Sequence, residues 1–354
     1  MQEQSQESGG QDIISSLKGL YNDRYKKLLI IPIVILALAI AQIAFQTSAT
    51  GDFIRKDVSL KGGLTVSVLA SEELDIDSLE SSLSSDFPGN DISVRSLKAS
   101  GATTGVIITA DMEGERSDEL LSSVEDKLGI KLTSENHTIE IMGSALGASF
   151  FHETFKALYI AFLFMGMVVF IYFGKGIWYK VVSVIASLIA AYSMLAGKSI
   201  TTDIIAYVIG IALMMLYFTN SIPSIAIIAA AVSDLIITLA VVNLLGIKVS
   251  TAGIAAFLML IGYSVDTNML LSTRLLRRRE GNNVDRIFGA MKTGLMMTAT
   301  TLVAVTAALI FTGSDVISQI MTIVLIGLIV DMMSTWVQNS SILLWYTKKN
   351  EPQS

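Results

Sequence analysis

Eight long apolar segments run through the sequence, and they restrict the possible folds more than any other feature does. A bilayer core about 30 Å thick is crossed by roughly 20 apolar residues in a helix. Two of the segments, Val181–Ala196 and Asp203–Phe218, fall short of that length, so they predict either two full spans or a hairpin that does not fully cross. The fold class we predict is a polytopic α-helical membrane protein with about eight spans. The segments are Leu28–Phe45, Phe155–Phe173, Val181–Ala196, Asp203–Phe218, Ile225–Leu245, Thr251–Ser272, Gly294–Phe311 and Ile320–Tyr346.

Composition excludes several other classes of protein. Charged residues make up only 16% of the chain, against roughly 25% in an average soluble domain. Cysteine is absent and there are two histidines, so we expect neither a disulfide framework nor a metal site. The sequence has no phosphate-binding loop, dinucleotide fingerprint or nucleophile elbow, and the net charge of −6 offers no nucleic-acid face. We therefore expect no enzyme activity and no cofactor.

Lysine and arginine residues predict the orientation of the spans. Arg24, Lys26 and Lys27 precede the first apolar segment, which we interpret as a retained anchor rather than a cleaved signal peptide. The loop 273–292 carries six basic and two acidic residues. With eight spans, both clusters and the C-terminal tail fall on the cytoplasmic side. We expect a multi-pass protein of the cell membrane with both termini in the cytoplasm.

Residues 51–147 predict a compact domain on the opposite side. This segment has 18 acidic and 8 basic residues, so it carries most of the negative charge. Strands are predicted at Leu64–Leu69, Ile92–Leu97, Gly105–Ala110 and His137–Met142. Helices are predicted at Asp75–Phe87 and Ser117–Leu128. The order βαββαβ is that of a small α+β ferredoxin-like domain, lying outside the cell membrane between spans 1 and 2.

The resulting domain organisation has five parts. They are a cytoplasmic tail at 1–27, a first transmembrane helix at 28–46, the outer domain at 51–147, a transmembrane bundle at 153–346 and a cytoplasmic tail at 347–354.

Three aspartates lie inside spanning segments: Asp234, Asp266 and Asp331. An ionised side chain at bilayer depth costs at least about 2.5–3.5 kcal/mol, and such residues usually face a bundle interior or water. Each is therefore a candidate proton relay. The alternative is a neutral acid that hydrogen-bonds across helices. For Asp331 this alternative is prominent, because Ser334, Thr335, Gln338 and Asn339 follow on the same helical face and form a stripe typical of packing or of a water-lined seam.

The stretch around Asp266 combines a glycine with several polar residues. Gly262 permits a close approach of another helix, and the polar inner half of this span predicts shielding by other helices. Arg274 is two turns from Asp266, about 12 Å along the axis, so the two cannot pair directly. The supporting polar residues of the stretch are Tyr263, Ser264, Thr267 and Asn268.

Several motifs resemble the SecD/SecF family, accessory subunits of the protein-export translocon. The most specific is "GYSVDTN" at Gly262–Asn268, followed by Arg274 and a basic loop. "DVSLKGG" at Asp57–Gly63, containing Gly62, is similar to the family's motif after the first helix, and its glycines predict a turn or a close backbone contact. "MGSALGASF" and "LIVDMMSTWVQNSSILLWY" resemble the entry to the second helix and the last helix of archaeal-type SecF members. Asp234 matches the family's intramembrane aspartate.

The resemblance implies a function that the residues alone do not. It implies a subunit of the resistance-nodulation-division superfamily that joins SecD and helps exported polypeptides leave the translocon channel, driven by the proton motive force or by Na⁺. Family members generally have six spans, so residues 174–218 are expected to be an extra hairpin. "VDTN" differs from the Asn-Asp that bacterial SecF members carry at this point.

Two other functions remain open at this stage. One is a small-molecule or lipid exporter of the same superfamily, for which an outer domain of about 95 residues is small. The other is a membrane assembly factor without ion coupling, in which the acids only join helices.

Overall fold

A computed structural model describes residues 18–350 except 20, 22–23, 70–74, 100–101, 113–115, 134, 197–199 and 279–280. Most of the predicted tails, 1–27 and 347–354, lies outside the described residues. The helices and strands form two parts, an α+β domain and a helical bundle. The elements are α1 Ile30–Thr50, α2 Val58–Lys61, β1 Gly63–Leu69, α3 Ile76–Asp86, β2 Ile92–Ala99, β3 Ala102–Ala110, α4 Ser117–Leu128, β4 His137–Met142, α5 Ser144–Phe173, α6 Ile177–Ala196, α7 Ile200–Asn220, α8 Ile222–Leu244, α9 Thr251–Arg277, α10 Asn283–Phe311, α11 Asp315–Met333 and α12 Ser340–Asn350, with a π-helical segment Ser334–Asn339 between the last two.

Within the described residues, eight helices are long and apolar enough to cross a membrane. The two apolar segments that are short in the sequence form longer helices in the structure. Helix α6 has 20 residues and α7 has 21, which corresponds to about 30 Å each. Both helices are therefore long enough to cross a bilayer, unlike the short hairpin of the alternative. The reason is that Ile177–Lys180 and Ile200–Thr202 continue the helices beyond the apolar runs.

The α+β domain is built around a four-stranded antiparallel sheet with strand order β2-β3-β1-β4. Strand β1 alternates, so that Leu64, Val66 and Val68 are buried on one face. Helices α3 and α4 cover this face with apolar residues at helical spacing, including Leu83 and Leu120. Each strand and helix predicted between residues 64 and 142 is present.

Two glycines at the start of the α+β domain allow close backbone contacts, Gly62 with α5 and Gly63 with β3. Gly62 has φ +91°, and a Cβ atom there would lie 2.5 Å from the Cα of Ser144. Gly63 has φ +138°, and a Cβ there would lie 2.4 Å from the carbonyl oxygen of Ala110. Both positions therefore require glycine, in agreement with the close backbone contact predicted from "DVSLKGG".

The same segment joins the α+β domain to the loop between α8 and α9. The Asp57 amide donates to the Val249 carbonyl at 2.9 Å, and the Val249 amide donates to the Arg55 carbonyl at 2.7 Å. Lys248 pairs with Asp91 at 2.8 Å, from the bundle to the sheet domain. The loop that connects α8 to α9 is thus fixed to the base of the α+β domain.

Helices α8 and α9 form the centre of the bundle. In the most apolar stretch of each, 61% and 50% of the residues are buried, compared with 11–33% for the other six helices. Helix α8 packs against α1, α5, α7, α9 and α11, while α9 packs against α5, α8, α10, α11 and α12. Polar side chains on α8 and α9 are consequently shielded by other helices unless they face outwards.

Candidate functional site

A large group of buried polar residues lies where α8, α9, α11 and the π-helical segment meet. We call this group the polar centre. Its members are Ser233, Asp234 and Thr238 on α8, Ser264, Thr267, Asn268 and Ser272 on α9, Asp331 on α11, and Ser334, Thr335, Gln338 and Asn339 in the π-helical segment. Because apolar side chains surround it, each polar atom here must find its partner within the group or leave its hydrogen-bonding capacity unused.

Asp234 lies near the middle of α8 and is only 3% exposed. The Ser264 hydroxyl donates to its Oδ2 atom at 2.6 Å. Among the described residues its Oδ1 atom has no hydrogen-bond partner, and neither does the hydroxyl of Thr238 one turn away. A buried carboxyl with an unused oxygen is an exception to the usual satisfaction of buried polar groups.

Asp331 faces Asp234 from α11, and the two carboxyl groups are close enough to interact. The Thr267 hydroxyl lies 2.9 Å from Oδ2 of Asp331, and the Thr335 hydroxyl lies 3.1 Å from Oδ1. Asp331 is 2% exposed. Hydroxyl groups from two sides therefore hold Asp331, whereas Asp234 receives one hydrogen bond.

Hydrogen bonds continue from the acids across the helices. The Asn268 side chain donates to the Ser264 carbonyl at 2.7 Å, and Asn339 donates to the Asn268 side-chain oxygen at 2.6 Å. Gln338 donates to the Ser233 hydroxyl at 3.1 Å. The polar stripe predicted after Asp331 is thus buried, and it contacts both α8 and α9.

The segment after Asp331 widens from an α-helix into a π-helix over Ser334–Asn339. Such widenings are rare and are frequent at functional sites. Here Ser334, Thr335 and Asn339 are all fully buried. The polar run "STWVQNSS" predicted a polar face but gave no signal of the π-helix, and Ser233 was not predicted to hydrogen-bond with this stripe.

The structure does not bring Asp266 to the polar centre. Asp266 lies on an exposed stripe of α9 together with Gly262, and outside the neighbouring backbone of α9 no described heavy atom lies within 4 Å of a Cβ built on Gly262. Within the described residues, other helices neither shield Asp266 nor closely approach Gly262, so the shielding expected for this half of the span stays a prediction. The physical reason is the 100° rotation per residue, which turns Asp266 away when Ser264 and Thr267 face the centre.

The other predicted residues of this stretch bind neighbouring helices. The Tyr263 hydroxyl lies 3.4 Å from the Thr301 hydroxyl on α10. Arg274 donates to the Gly289 carbonyl on α10 at 2.7 Å and does not reach Asp266, as their separation predicted. Within the part of the chain that the structure describes, no three His, Cys, Asp or Glu side chains are grouped as a metal site would require.

Known proteins share the sequence and the fold. A family model described as protein export membrane protein SecD/SecF, C-terminal, matches residues 192–349. The protein-export membrane protein SecF of Methanocaldococcus jannaschii is 31% identical over 328 residues, covering 91% of this chain and 95% of that protein. SecF of Pyrococcus furiosus is 30% identical over 340 residues, covering 96% of this chain and 97% of that protein.

Among solved structures, SecDF of Thermus thermophilus, a translocon-associated membrane protein, matches with a TM-score of 0.56 and 17% identity. That match covers 94% of this chain but only 38% of the SecDF chain, so it shows the fold alone. The likeness to the archaeal relatives extends over nearly their whole length at about 30% identity. The protein described here therefore belongs to the SecF family of protein-export membrane proteins.

Proposed function

We propose that the protein is an accessory subunit of the Sec protein-export machinery, which uses the transmembrane ion gradient to assist translocation or release of exported polypeptides. The observation that carries this proposal is the pairing of Asp234 with Asp331 inside the bundle. The relatives' name, protein-export membrane protein, supports the export role. The carboxyl pair supports the use of an ion gradient.

A buried carboxyl pair suits ion coupling because its charge depends on its surroundings. Two ionised carboxylates side by side at low dielectric repel strongly, so such pairs commonly share a proton. One elementary charge moving through 100 mV is worth about 2.3 kcal/mol, and each pH unit adds about 1.4 kcal/mol. A few protons are then enough to shift a conformational equilibrium by orders of magnitude. The unpartnered oxygen of Asp234 marks the position at which a proton or Na⁺ would bind.

The proposal includes an arrangement of the chain in the membrane. Eight spans put the N-terminus, the loop 273–292 and the C-terminus in the cytoplasm, because these segments carry the basic clusters. The α+β domain then lies outside, and its strand order and βαββαβ sequence support a ferredoxin-like fold. Six spans are of the family type, while α6 and α7 form the extra hairpin.

The exposed stripe of α9 is the proposed contact with SecD. Asp266 is costly on a lipid-facing surface, and Gly262 beside it leaves room for a helix to pack closely. A partner helix with a hydrogen-bond donor or a positive charge at this depth would offset the cost of Asp266 and would fill the space beside Gly262. Asp266 thus keeps its candidate role in ion movement, but at a subunit interface rather than in the polar centre.

The Asp234→Asn variant tests the coupling. In a strain that depends on this protein, we expect the variant to be present at normal levels while export of a signal-bearing reporter no longer responds to an imposed proton gradient. Replacing H⁺ by Na⁺ gradients identifies the ion. The matched control is Asp118→Asn, on an exposed face of α4, which we expect to behave as the wild type. Normal gradient-dependent export in Asp234→Asn would instead favour an assembly factor without coupling.

A further inference from the structure

A cavity of about 160 Å³ lies between the end of α9 and the start of α10, separate from the polar centre. We call it the arginine pocket. Its lining residues are Arg274, Arg278, Asp285, Arg286 and Gly289. The proposed function uses none of them. Three guanidinium groups around one cavity are a concentration of positive charge that needs an explanation beyond the general excess of basic residues in cytoplasmic loops.

Backbone carbonyl groups hold two of these arginines in place. Arg274 donates to the Gly289 carbonyl at 2.7 Å. Arg286 donates to the Leu275 carbonyl at 3.3 Å and to the Gly281 carbonyl at 3.0 Å. These hydrogen bonds restrict the side chains without neutralising their charge. A guanidinium has five N–H donors, so it can hold a carbonyl and bind an anion at the same time.

The carboxylate in the pocket does not cancel this charge. Asp285 pairs with Lys18 at 2.7 Å. Among the described residues, neither Arg274 nor Arg278 has a carboxylate within salt-bridge distance. The described lining residues include three arginines and one aspartate, so together they carry a net positive charge.

We propose that the arginine pocket binds a phosphate group, and that the headgroup of an anionic phospholipid is its source. The planar fork of a guanidinium matches phosphate oxygens in a bidentate geometry. Under the proposed orientation the pocket lies at the cytoplasmic surface, where basic pockets between membrane helices bind anionic lipid headgroups. A free phosphate ion offers the same chemistry, so the experiment must separate the two sources.

The test measures binding to the full-length chain in neutral detergent by native mass spectrometry. The probes are short-chain phosphatidylglycerol, short-chain phosphatidylcholine and inorganic phosphate. We expect phosphatidylglycerol to bind more tightly than phosphatidylcholine, and Arg274→Gln/Arg278→Gln to weaken that binding roughly thirtyfold, because each basic residue contributes about 1 kcal/mol. Arg278→Gln alone, at an exposed position, serves if the double variant does not fold.

The matched control is Lys348→Gln/Lys349→Gln, which removes the same charge from the C-terminal helix outside the pocket. We expect it to retain wild-type affinity. An equal loss in this control would reduce the effect to bulk charge and overturn the site. Equal binding of the two lipids would overturn the selection of an anionic headgroup, since both carry a phosphate but only one is anionic overall. Binding of inorganic phosphate as tight as that of phosphatidylglycerol would overturn the lipid as the source.

Discussion

At the scale of single residues, the two acids of the polar centre have unequal surroundings. Asp331 accepts hydrogen bonds from the hydroxyls of Thr267 and Thr335, which belong to two different helical segments. Asp234 accepts one, and an oxygen remains unpaired. We infer that Asp331 contributes more to helix packing and Asp234 more to ion movement, because a fully bonded group has less capacity to change partners.

This difference predicts that Asp331→Asn lowers the stability of the protein more than Asp234→Asn does. The amide of an asparagine brings donors to a position where two hydroxyls now donate, and a mismatch of this kind costs about 1–3 kcal/mol. The measurement is the melting temperature of each purified variant in detergent. Thr238→Val, on α8 with no described partner for its hydroxyl, serves as a control with little expected change. An Asp331→Asn protein that melts like the wild type yet no longer exports would contradict the packing role.

Much of the polar centre could be predicted from residue spacing, and part of it could not. The 3.6-residue period correctly grouped the stripe after Asp331. The same period would have separated Asp266 from Ser264 and Thr267, and that signal was present in the sequence. The pairing of Asp234 with Asp331 has no local signal. It depends on α8 and α11 packing together, and packing between distant segments is not encoded in the pattern of either one.

At the scale of elements, the loop between α8 and α9 links the polar centre to the α+β domain. Gln319 on α11 donates to the Lys248 carbonyl at 2.5 Å and accepts a hydrogen bond from the Ser250 hydroxyl. The loop backbone is also bonded to Arg55 and Asp57. Helices α8 and α11, which carry Asp234 and Asp331, therefore meet the base of the domain at one place. A shift between them would be passed to the domain through this loop.

We predict that Gln319→Leu loosens the α+β domain relative to the bundle. Leucine has similar size but makes neither hydrogen bond, so the loop loses its attachment to α11. The chain has no cysteine, so two introduced ones, Asp118→Cys on α4 and Val316→Cys on α11, can carry spin labels without background. The distribution of distances between the labels is expected to broaden in Gln319→Leu. Gln42→Leu on α1 is the matched control. A distance distribution that is equally narrow in Gln319→Leu and Gln42→Leu would show that the loop does not couple the bundle to the α+β domain.

Elements were the most predictable level of the structure. Strands and helices of the α+β domain followed from the alternation of Val66 and its neighbours and from the spacing of Leu120 and Val124, because a small domain with one core must bury these faces. The ends of α6 and α7 were less predictable. Apolar content marks the part of a helix that lies in the membrane. Helix α6 also includes Tyr179, before its predicted apolar segment, and α7 also includes Thr201, before its own.

At the scale of the whole molecule, the exposed stripe of α9 shows a surface that this chain does not cover. Asp266 and Gly262 lie on it, beside Met259, which is 44% exposed. An ionised carboxyl on a lipid-facing surface costs at least about 2.5–3.5 kcal/mol unless a partner compensates it. In the proposed complex a helix of SecD covers this stripe. The glycine sets how close that helix comes, and the carboxyl sets which side chains it can carry.

Gly262→Ile therefore should reduce association with SecD without harming the fold of the subunit itself. Apart from the neighbouring backbone of α9 itself, no described heavy atom lies within 4 Å of a Cβ at this position, so the subunit has room for the added side chain. The two proteins are co-expressed, purified through a tag on one of them, and their ratio is measured together with the melting temperature. Ala212→Ile, on the exposed face of α7 in the extra hairpin, adds similar bulk to an exposed surface of a different helix. We expect loss of SecD from Gly262→Ile and an unchanged ratio in Ala212→Ile. Full recovery of SecD with both variants would place the subunit contact elsewhere and would leave the exposed carboxyl of Asp266 without the partner helix proposed for it.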